Sequence, residues 1–299
     1  MRDHFFLVDE SQAGRRLDAY LADHLPEMSR SAIQLLIRDQ QVTVQGMPLK
    51  KSDKVQRGQE ICIHVPEPTP LELEAENIDL HILYEDEHLA VVNKPRGMVV
   101  HPSAGHATGT LVHALLHHLD ELSDFNGILR PGIVHRIDKD TTGLLLVTKN
   151  NATHQYFQEK FKDHDLKRIY TVLVHGRVGF TEKTIDLPIG RDPVHRKKNT
   201  VIASGKRAVT HLKVLKSFDK YTLLSCKLET GRTHQIRVHL KYINHPVVGD
   251  PLYGPKNTPF KKGQLLHAGT LGFTDPEGTY REFNEELPED FKRFLRGLE

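Results

Sequence analysis

The stretch His135-Arg136-Ile137-Asp138-Lys139-Asp140-Thr141-Thr142-Gly143-Leu144-Leu145-Leu146 decides how this chain reads. Its flanks, Gly132-Ile133-Val134 and residues 144–147, are apolar and read as β-strands. Between them lie two carboxylates, three cationic or potentially cationic side chains and a glycine. Asp, Thr and Gly are ordinary turn residues, so a hairpin turn accounts for part of the pattern. A carboxylate held where a strand ends is also a common setting for an active site. The rest of the chain decides between the two.

Working outward, residues 82–84, 89–93, 133–136, 144–148, 170–174 and 221–228 read as strands, and 151–162 and 233–243 carry helical periods. Strands outnumber helices and do not alternate with them strictly. The expected fold class is therefore α+β with a mixed, largely antiparallel sheet, rather than a doubly wound parallel one. Upstream, Val65-Pro66-Glu67-Pro68-Thr69-Pro70 cannot continue a helix or an interior strand and stiffens towards polyproline II. The domain boundary falls there: residues 1–65 form a small domain, 66–80 a Pro-rich linker and 81–299 a large domain. In the small domain, apolar residues at 17, 20, 21 and 25 mark one helix. Ser29 is placed to N-cap a second, with apolar positions 33, 36 and 37. Residues 42–46 read as a strand and turn, and 54–61 as a turn into a last strand.

Composition removes several classes. A chain of 299 residues with 38% hydrophobic and 27% charged residues is an ordinary globular protein of one or two domains. No run is long and apolar enough for a membrane span, and Met1-Arg2-Asp3-His4 lacks the apolar core of a signal peptide. Two cysteines, Cys62 and Cys226, offer no disulfide framework, so a reducing cytoplasm is the expected compartment. A net charge of +2 excludes a globally basic nucleic-acid coat. The cations are nevertheless clustered. Arg30, Arg38, Lys50, Lys51, Lys54 and Arg57 form one patch, and Arg191, Arg196, Lys197, Lys198, Lys206 and Arg207 another. Solvated surfaces would look the same, but two basic patches on a near-neutral body also suit a phosphate-rich partner gripped at two places.

Four further segments concentrate polar residues at turns: the loop 93–102, Tyr170 behind Lys167 and Arg168, the strand-to-helix junction 229–240 with Thr233 as its cap, and Gly249-Asp250-Pro251-Leu252-Tyr253-Gly254. Taken singly, a turn, a core tyrosine and a loop explain the others, but five polar residues at the junction exceed what a cap needs. The 20 histidines do not make a metal site: no His-Glu-x-x-His and no zinc-spaced cysteine pair is present, although His113 and His117 share a helical face. No phosphate-cradling Gly-rich loop and no nucleophilic triad motif is found either. No metal and no cofactor are expected.

Taken together, the segments resemble a known family. His-Arg-Ile-Asp-x-x-Thr-x-Gly-Leu-Leu-Leu, a basic-x-Tyr strand, and Thr-Gly-Arg-Thr-His-Gln-Ile-Arg-Val-His-Leu occur here in the order found in the RluA family of pseudouridine synthases, across residues 82–254. Ile137 stands where Leu is usual, a change that nearly conserves volume, and Arg168 where Lys is common. The N-terminal module resembles the RNA-binding domain first known from ribosomal protein S-four, with Arg16, Ser29, Arg30 and the Val-x-Val-x-Gly turn in the expected places. That pairing is similar to the subgroup acting on large-subunit ribosomal RNA, in ribosome biogenesis. Pro188-Ile189-Gly190-Arg191-Asp192 with Arg196-Lys197-Lys198 resembles its RluD type.

The resemblance implies isomerisation of uridine to pseudouridine, a reaction that needs no redox group. It implies Asp138 as the essential carboxylate, ionised at pH 7. Attack on the anomeric carbon, attack on the base and a glycal route all stay open. It implies Arg237 as the ion-pair partner that orients Asp138, and Tyr170 as the ring that stacks on the flipped uracil and assists proton removal from carbon-5. Arg136, two residues before Asp138 on an expected strand, would face the same way and fill the gap left by the base. Lys139, Asp140 and Thr141 shape the loop, and His135 and His234 are structural hydrogen-bonding residues. Arg16, Arg30, Lys50, Lys51, Lys54, Lys94, Arg196, Lys197 and Lys198 are the expected RNA contacts, and the chain is expected to act as a monomer. Two rival readings remain. A binding-only ribosome-assembly factor would have no use for a buried carboxylate facing a polyanion. A glycosidase needs a second acid, and Asp140 is better explained by its turn.

Overall fold

A computed structural model describes residues 2–299 except 26, 27, 29, 45, 66–72, 104, 126–129 and 196, and only the backbone of residues 2, 30–32 and 35. The Ser29 cap, the Pro-rich stretch 66–70, Arg196 and the Arg30 side chain thus lie outside the described residues. The chain divides into two compact units, Met1–Leu71 and Glu72–Glu299.

The first unit contains β1 (Arg2–Leu7), α1 (Leu17–His24), α2 (Arg30–Arg38), β2 (Val42–Val44), β3 (Met47–Pro48) and β4 (Glu60–Val65). The strands form an antiparallel sheet in the order β1-β4-β2-β3. Leu17, Tyr20 and Leu21 from α1 and Ile33, Leu36 and Ile37 from α2 are buried with Val42, Val44, Ile61 and Ile63. The period that marked the helices is thus the spacing of their buried side chains.

The second unit runs β5 (His81–Glu85), β6 (Leu89–Lys94), α3 (Leu111–His118), β7 (Thr142–Thr148), α4 (Asn151–Lys162), β8 (Lys167–His175), β9 (Glu182–Asp186), β10 (Ile189–Arg191), β11 (Asn199–Val201), β12 (Val209–Ser217), β13 (Tyr221–Leu228), α5 (Gln235–Tyr242), β14 (Leu266–Thr274), β15 (Tyr280–Asn284) and α6 (Glu289–Arg296). Its main sheet has the order β5-β6-β7-β14-β8-β13-β12-β9, with β15 also on β14, while β10 and β11 pair apart. Only β7 and β14 run parallel in that sheet. The α+β class with a mixed, largely antiparallel sheet is therefore what the chain adopts. No described helix is long and apolar enough to cross a membrane.

Both faces of this sheet are covered, and alternation along the strands sorts the side chains. Ala90, Val92, Leu145 and Val147 pack with Leu111, Val112 and Leu115 of α3 and Ile236 and Leu240 of α5. Leu89, Val91, Leu144 and Leu146 point the other way, to Phe157 of α4 and Phe273. A strand buried on both faces reads as a continuous apolar run, which is why β7 stands out in the sequence. At its start, Gly143 has φ 112°, and a Cβ there would lie 2.2 Å from the carbonyl oxygen of Ala268. Only glycine permits the close approach of β7 to β14.

Two local expectations are corrected. Residues 133–136 are not a strand: Ile133 makes one isolated bridge to Val147. The His135 ring then takes the Leu146 N–H at 2.8 Å, where a strand would offer a backbone carbonyl. Helix α5 begins at Gln235 and is capped by His234, in the left-handed conformation with φ 59°, not by Thr233. The Thr230 hydroxyl and the Arg232 N–H instead bond the Gln235 side chain, at 2.7 and 3.0 Å, closing the turn from inside.

Candidate active site

Asp138 lies in the loop that leads into β7. It lines a cleft of about 410 Å³ whose walls include Arg136, Tyr170, Leu228, His234, Arg237 and Leu266. Arg136 is exposed at this cleft. It thus shares a wall with Asp138, as expected, although no strand places it there.

The loop is strapped down by β6 and the turn after it. Lys139 O accepts the Gly97 N–H at 3.0 Å and Lys94 Nζ at 2.9 Å. Arg96 Nη1 donates to Asp140 O at 2.8 Å, and Gln264 Nε2 donates to Thr141 Oγ1 at 3.1 Å. Lys94 is therefore not a phosphate contact, and that expectation is withdrawn. Its side chain is fully buried, and Nζ also donates to Pro95 O and Met98 O, each at 2.8 Å. Burial brings its pKa down to about 7, against the pull of Asp140 and Asp138 and with help from Arg96. Three carbonyls consume the three donors of an ammonium and leave nothing for RNA.

Arg237 comes from α5, where the side chains of residues 235–240 are all buried. Its Nη1 donates to Asp138 Oδ2 at 2.8 Å. Its other edge is held by Asp250, with Nε–Oδ2 at 2.7 Å and Nη2–Oδ1 at 2.9 Å. The Arg237 and Asp250 side chains are 4% and 0% exposed, so this is a buried two-pronged pair, the geometry that suits guanidinium best. Asp250 also accepts the N–H groups of Leu252 and Tyr253 at 2.9 and 3.0 Å. Burial pushes its carboxyl upward, but the Arg237 hydrogen bonds and charge and the two N–H groups outweigh it and lower the pKa. For Arg237 burial works against the charge, and the two carboxylates more than restore it. Tyr253 closes the cluster, its ring centroid 5.1 Å from the Arg237 guanidinium carbon.

Tyr170, on β8 between β13 and β14, is buried in the apolar wall. Burial raises the phenol's pKa; Asp138 adds to this and Arg168 opposes it. Its ring is thus a neutral phenol at pH 7, suited to stacking rather than to acting as a phenolate base. Arg168 is itself buried, donating to Glu229 O at 3.0 Å and lying 5.5 Å from the Phe161 ring. His135 is held down to about pH 3 by burial and by Arg168, which keeps its ring an acceptor for Leu146.

Asp250 was missed as a site residue. Its segment stood out, but nothing in sequence links a loop aspartate to an arginine 13 positions earlier. The one available signal was that an arginine inside a helix buried all round needs more than one carboxylate. Lys197 is exposed and Lys198 half-buried beside β10 and β11. In the first unit Lys50, Lys51 and Lys54 are exposed. Arg16 is held by Asp18 through Nε–Oδ1 at 3.0 Å and Nη2–Oδ2 at 3.3 Å. Among the described residues no cluster of His, Cys, Asp and Glu could hold a metal ion.

A strapped carboxylate, a clamped arginine and a buried tyrosine thus line one cleft of a mixed sheet. Residues 88–242 match the family described as RNA pseudouridylate synthase, and residues 15–61 match the S4 domain. The uncharacterized RNA pseudouridine synthase YlyB of Bacillus subtilis (strain 168) is 50% identical over 97% of this chain and 96% of its own length. The Pseudomonas aeruginosa ribosomal large subunit pseudouridine synthase D is 42% identical over 93% of this chain and 90% of its own. Human RNA pseudouridylate synthase domain containing 4 shares the fold, with TM-score 0.58 and 24% identity over 73% of this chain and 92% of that one. This chain belongs to the RNA pseudouridylate synthase family. It is an RNA pseudouridine synthase with an N-terminal S4 domain.

Proposed function

We propose that this enzyme isomerises uridines of large-subunit ribosomal RNA, with Asp138 as the essential carboxylate. The ion pair of Asp138 with a clamped Arg237 carries the reading. It aims a carboxylate into a cleft whose walls include Tyr170, Leu228 and Leu266. In the reaction the bond from ribose C1′ to uracil N1 breaks, the base turns, C5 bonds to C1′, and the C5 proton is lost as N1 gains one. Every atom needed comes from the nucleotide, so the site has to supply one carboxylate and to exclude water, which would trap the detached sugar. Tyr170 stacks beneath the flipped uracil, and Arg136 takes the place the base leaves in the helix. Leu228 and Leu266 supply dry walls.

The substrate class is supported by the relatives named for the large ribosomal subunit. Residues 1–65 are proposed as the domain that grips the RNA, joined through 66–80 to the catalytic domain 81–299. Arg16 and Lys54 face each other across a short bridge, and Arg38, Lys50 and Lys51 line a cleft in the same unit. These side chains, with Arg30, Arg196, Lys197 and Lys198, are the proposed phosphate contacts. The chain is proposed to act as a monomer in the cytoplasm, a compartment that relatives named for the large ribosomal subunit support.

The test is carbodiimide mapping of pseudouridine in large-subunit RNA from a deletion strain complemented with wild type or Asp138→Asn. Signals that vanish on deletion and return only with wild type support substrate and carboxylate together. An unchanged ribosomal map overturns the substrate assignment. Full restoration by Asp138→Asn overturns the role of Asp138.

A further inference from the structure

The carboxylate oxygen that Arg237 leaves free faces a histidine. His234 Nε2 lies 3.8 Å from Asp138 Oδ1, and Nδ1 lies 2.9 Å from the Tyr253 hydroxyl. That hydroxyl already accepts the Asn199 N–H at 2.9 Å, so its single proton is available to Nδ1. A neutral imidazole that accepts at Nδ1 carries its hydrogen on Nε2. Burial lowers the pKa of this ring; Arg237 and Arg136 act in the same direction, against Asp138 and Asp250. His234 is therefore neutral at pH 7, with its hydrogen on the nitrogen that lies 3.8 Å from the essential carboxylate. Its backbone φ of 59° is uncommon for a residue with a side chain, and such outliers gather at functional sites.

A separation of 3.8 Å is too long for a direct hydrogen bond. An oxygen to one side of the line joining them can lie about 2.8 Å from each atom, a normal hydrogen-bond length on both sides. That oxygen must accept from Nε2–H and donate to a carboxylate. A uracil carbonyl only accepts and would be repelled by Oδ1, and uracil N3–H only donates. A hydroxyl does both. On a nucleotide inside an RNA chain the free hydroxyl is the ribose 2′-OH, one carbon from the anomeric centre at which Asp138 is proposed to act.

We propose that His234 and Asp138 Oδ1 bracket the 2′-hydroxyl of the target uridine, so that His234, with its tautomer set by Tyr253, selects ribose over deoxyribose. The inference rests on the reading of Asp138 as the essential carboxylate. A site built to bond a hydroxyl rejects the analogue that lacks it, because its polar groups are left unpaired.

The experiment uses the full-length enzyme in excess over an RNA carrying one mapped target, synthesised with uridine or 2′-deoxyuridine at that position. Wild type is expected to prefer ribose by at least about 100-fold in single-turnover rate. His234→Leu is expected to reduce the preference to about threefold or less, since the group that reads the hydroxyl is gone. His234→Gln keeps an N–H of similar reach and should retain most of it. Tyr253→Phe frees the tautomer and should fall between. Wild type accepting deoxyuridine within threefold, or His234→Leu keeping the full preference, overturns the inference. Should His234→Leu fail to fold, as read from its thermal unfolding, loss of the preference in folded His234→Gln overturns it instead. Asp138→Asn on the ribose substrate separates the two levels. Retained activity overturns the underlying role of Asp138. Lost activity with no coupling between His234 and the hydroxyl overturns ribose selection alone.

Discussion

Asp250 grips Arg237 through two parallel hydrogen bonds, at Nε and Nη2, and so leaves Nη1 alone to reach Asp138. The guanidinium therefore cannot swing away from the carboxylate it orients. Removing Asp250 leaves a buried charge with half its compensation. Asp250→Ala is expected to lower stability by about 3–5 kcal/mol, read by chemical denaturation. Wild-type stability in that variant would show that the clamp does not hold the site together.

The lysines should separate by experiment. Lys50→Ala, Lys51→Ala and Lys54→Ala each remove an exposed cation, and each should lower the slope of log affinity against log salt by roughly 1. Lys94→Met should leave that slope unchanged and lower stability by about 2–4 kcal/mol, since three carbonyls, that of buried Met98 among them, lose their donor. A salt slope that falls in Lys94→Met would return Lys94 to the RNA surface.

Acid should weaken the fold through His135. In the unfolded chain this ring takes a proton near pH 6.5, but in the folded chain only near 3. Between those values the unfolded state holds more protons, so stability falls as pH drops. Above pH 6.5 the contribution is fully present. Each unit below it removes up to about 1.4 kcal/mol. His135→Gln should therefore lose about 2 kcal/mol less than wild type between pH 6.5 and 5, measured by denaturant titration at each pH. Equal losses would contradict the assignment of a neutral, accepting ring.

Gly143→Ala tests the meeting of β7 and β14. The added methyl has no room against the Ala268 carbonyl, and the backbone would have to separate. A loss of several kcal/mol is expected, together with lost activity, because Asp138 lies five residues upstream. A stable, active Gly143→Ala enzyme would rule out that constraint.

Where a segment's own side chains decide its structure, the sequence was legible. Helix α4 spans residues 151–162 as read, with Asn150 accepting the Thr153 N–H at 2.9 Å as its cap. The apolar run of β7 announced a strand covered on both faces. Strand β14, which joins β7 to β8, went unseen: His267 and two glycines break its apolar pattern, and its partners lie far away in the chain. The supposed strand 133–136 failed for a related reason, since a side chain replaced the backbone partner. In the site, Asp138, Tyr170 and Arg237 could be named by resemblance. The roles of Asp250, Lys94 and Tyr253 could not, because each depends on a contact made only after folding.

Strand β7 is paired with β6 along its length and with β14 at its start, and every one of its residues is buried. A loop that enters such a strand, and is strapped on its other side by Lys94 and Arg96, has no hinge of its own. With Asp138 in its proposed role, the movement that brings a stacked base to it falls on the nucleic acid, whose backbone turns the nucleotide out by roughly 180°. Uridines in loops, bulges or mismatched helices are already half released from their neighbours. Those are the positions at which an unyielding carboxylate reaches its substrate with least work.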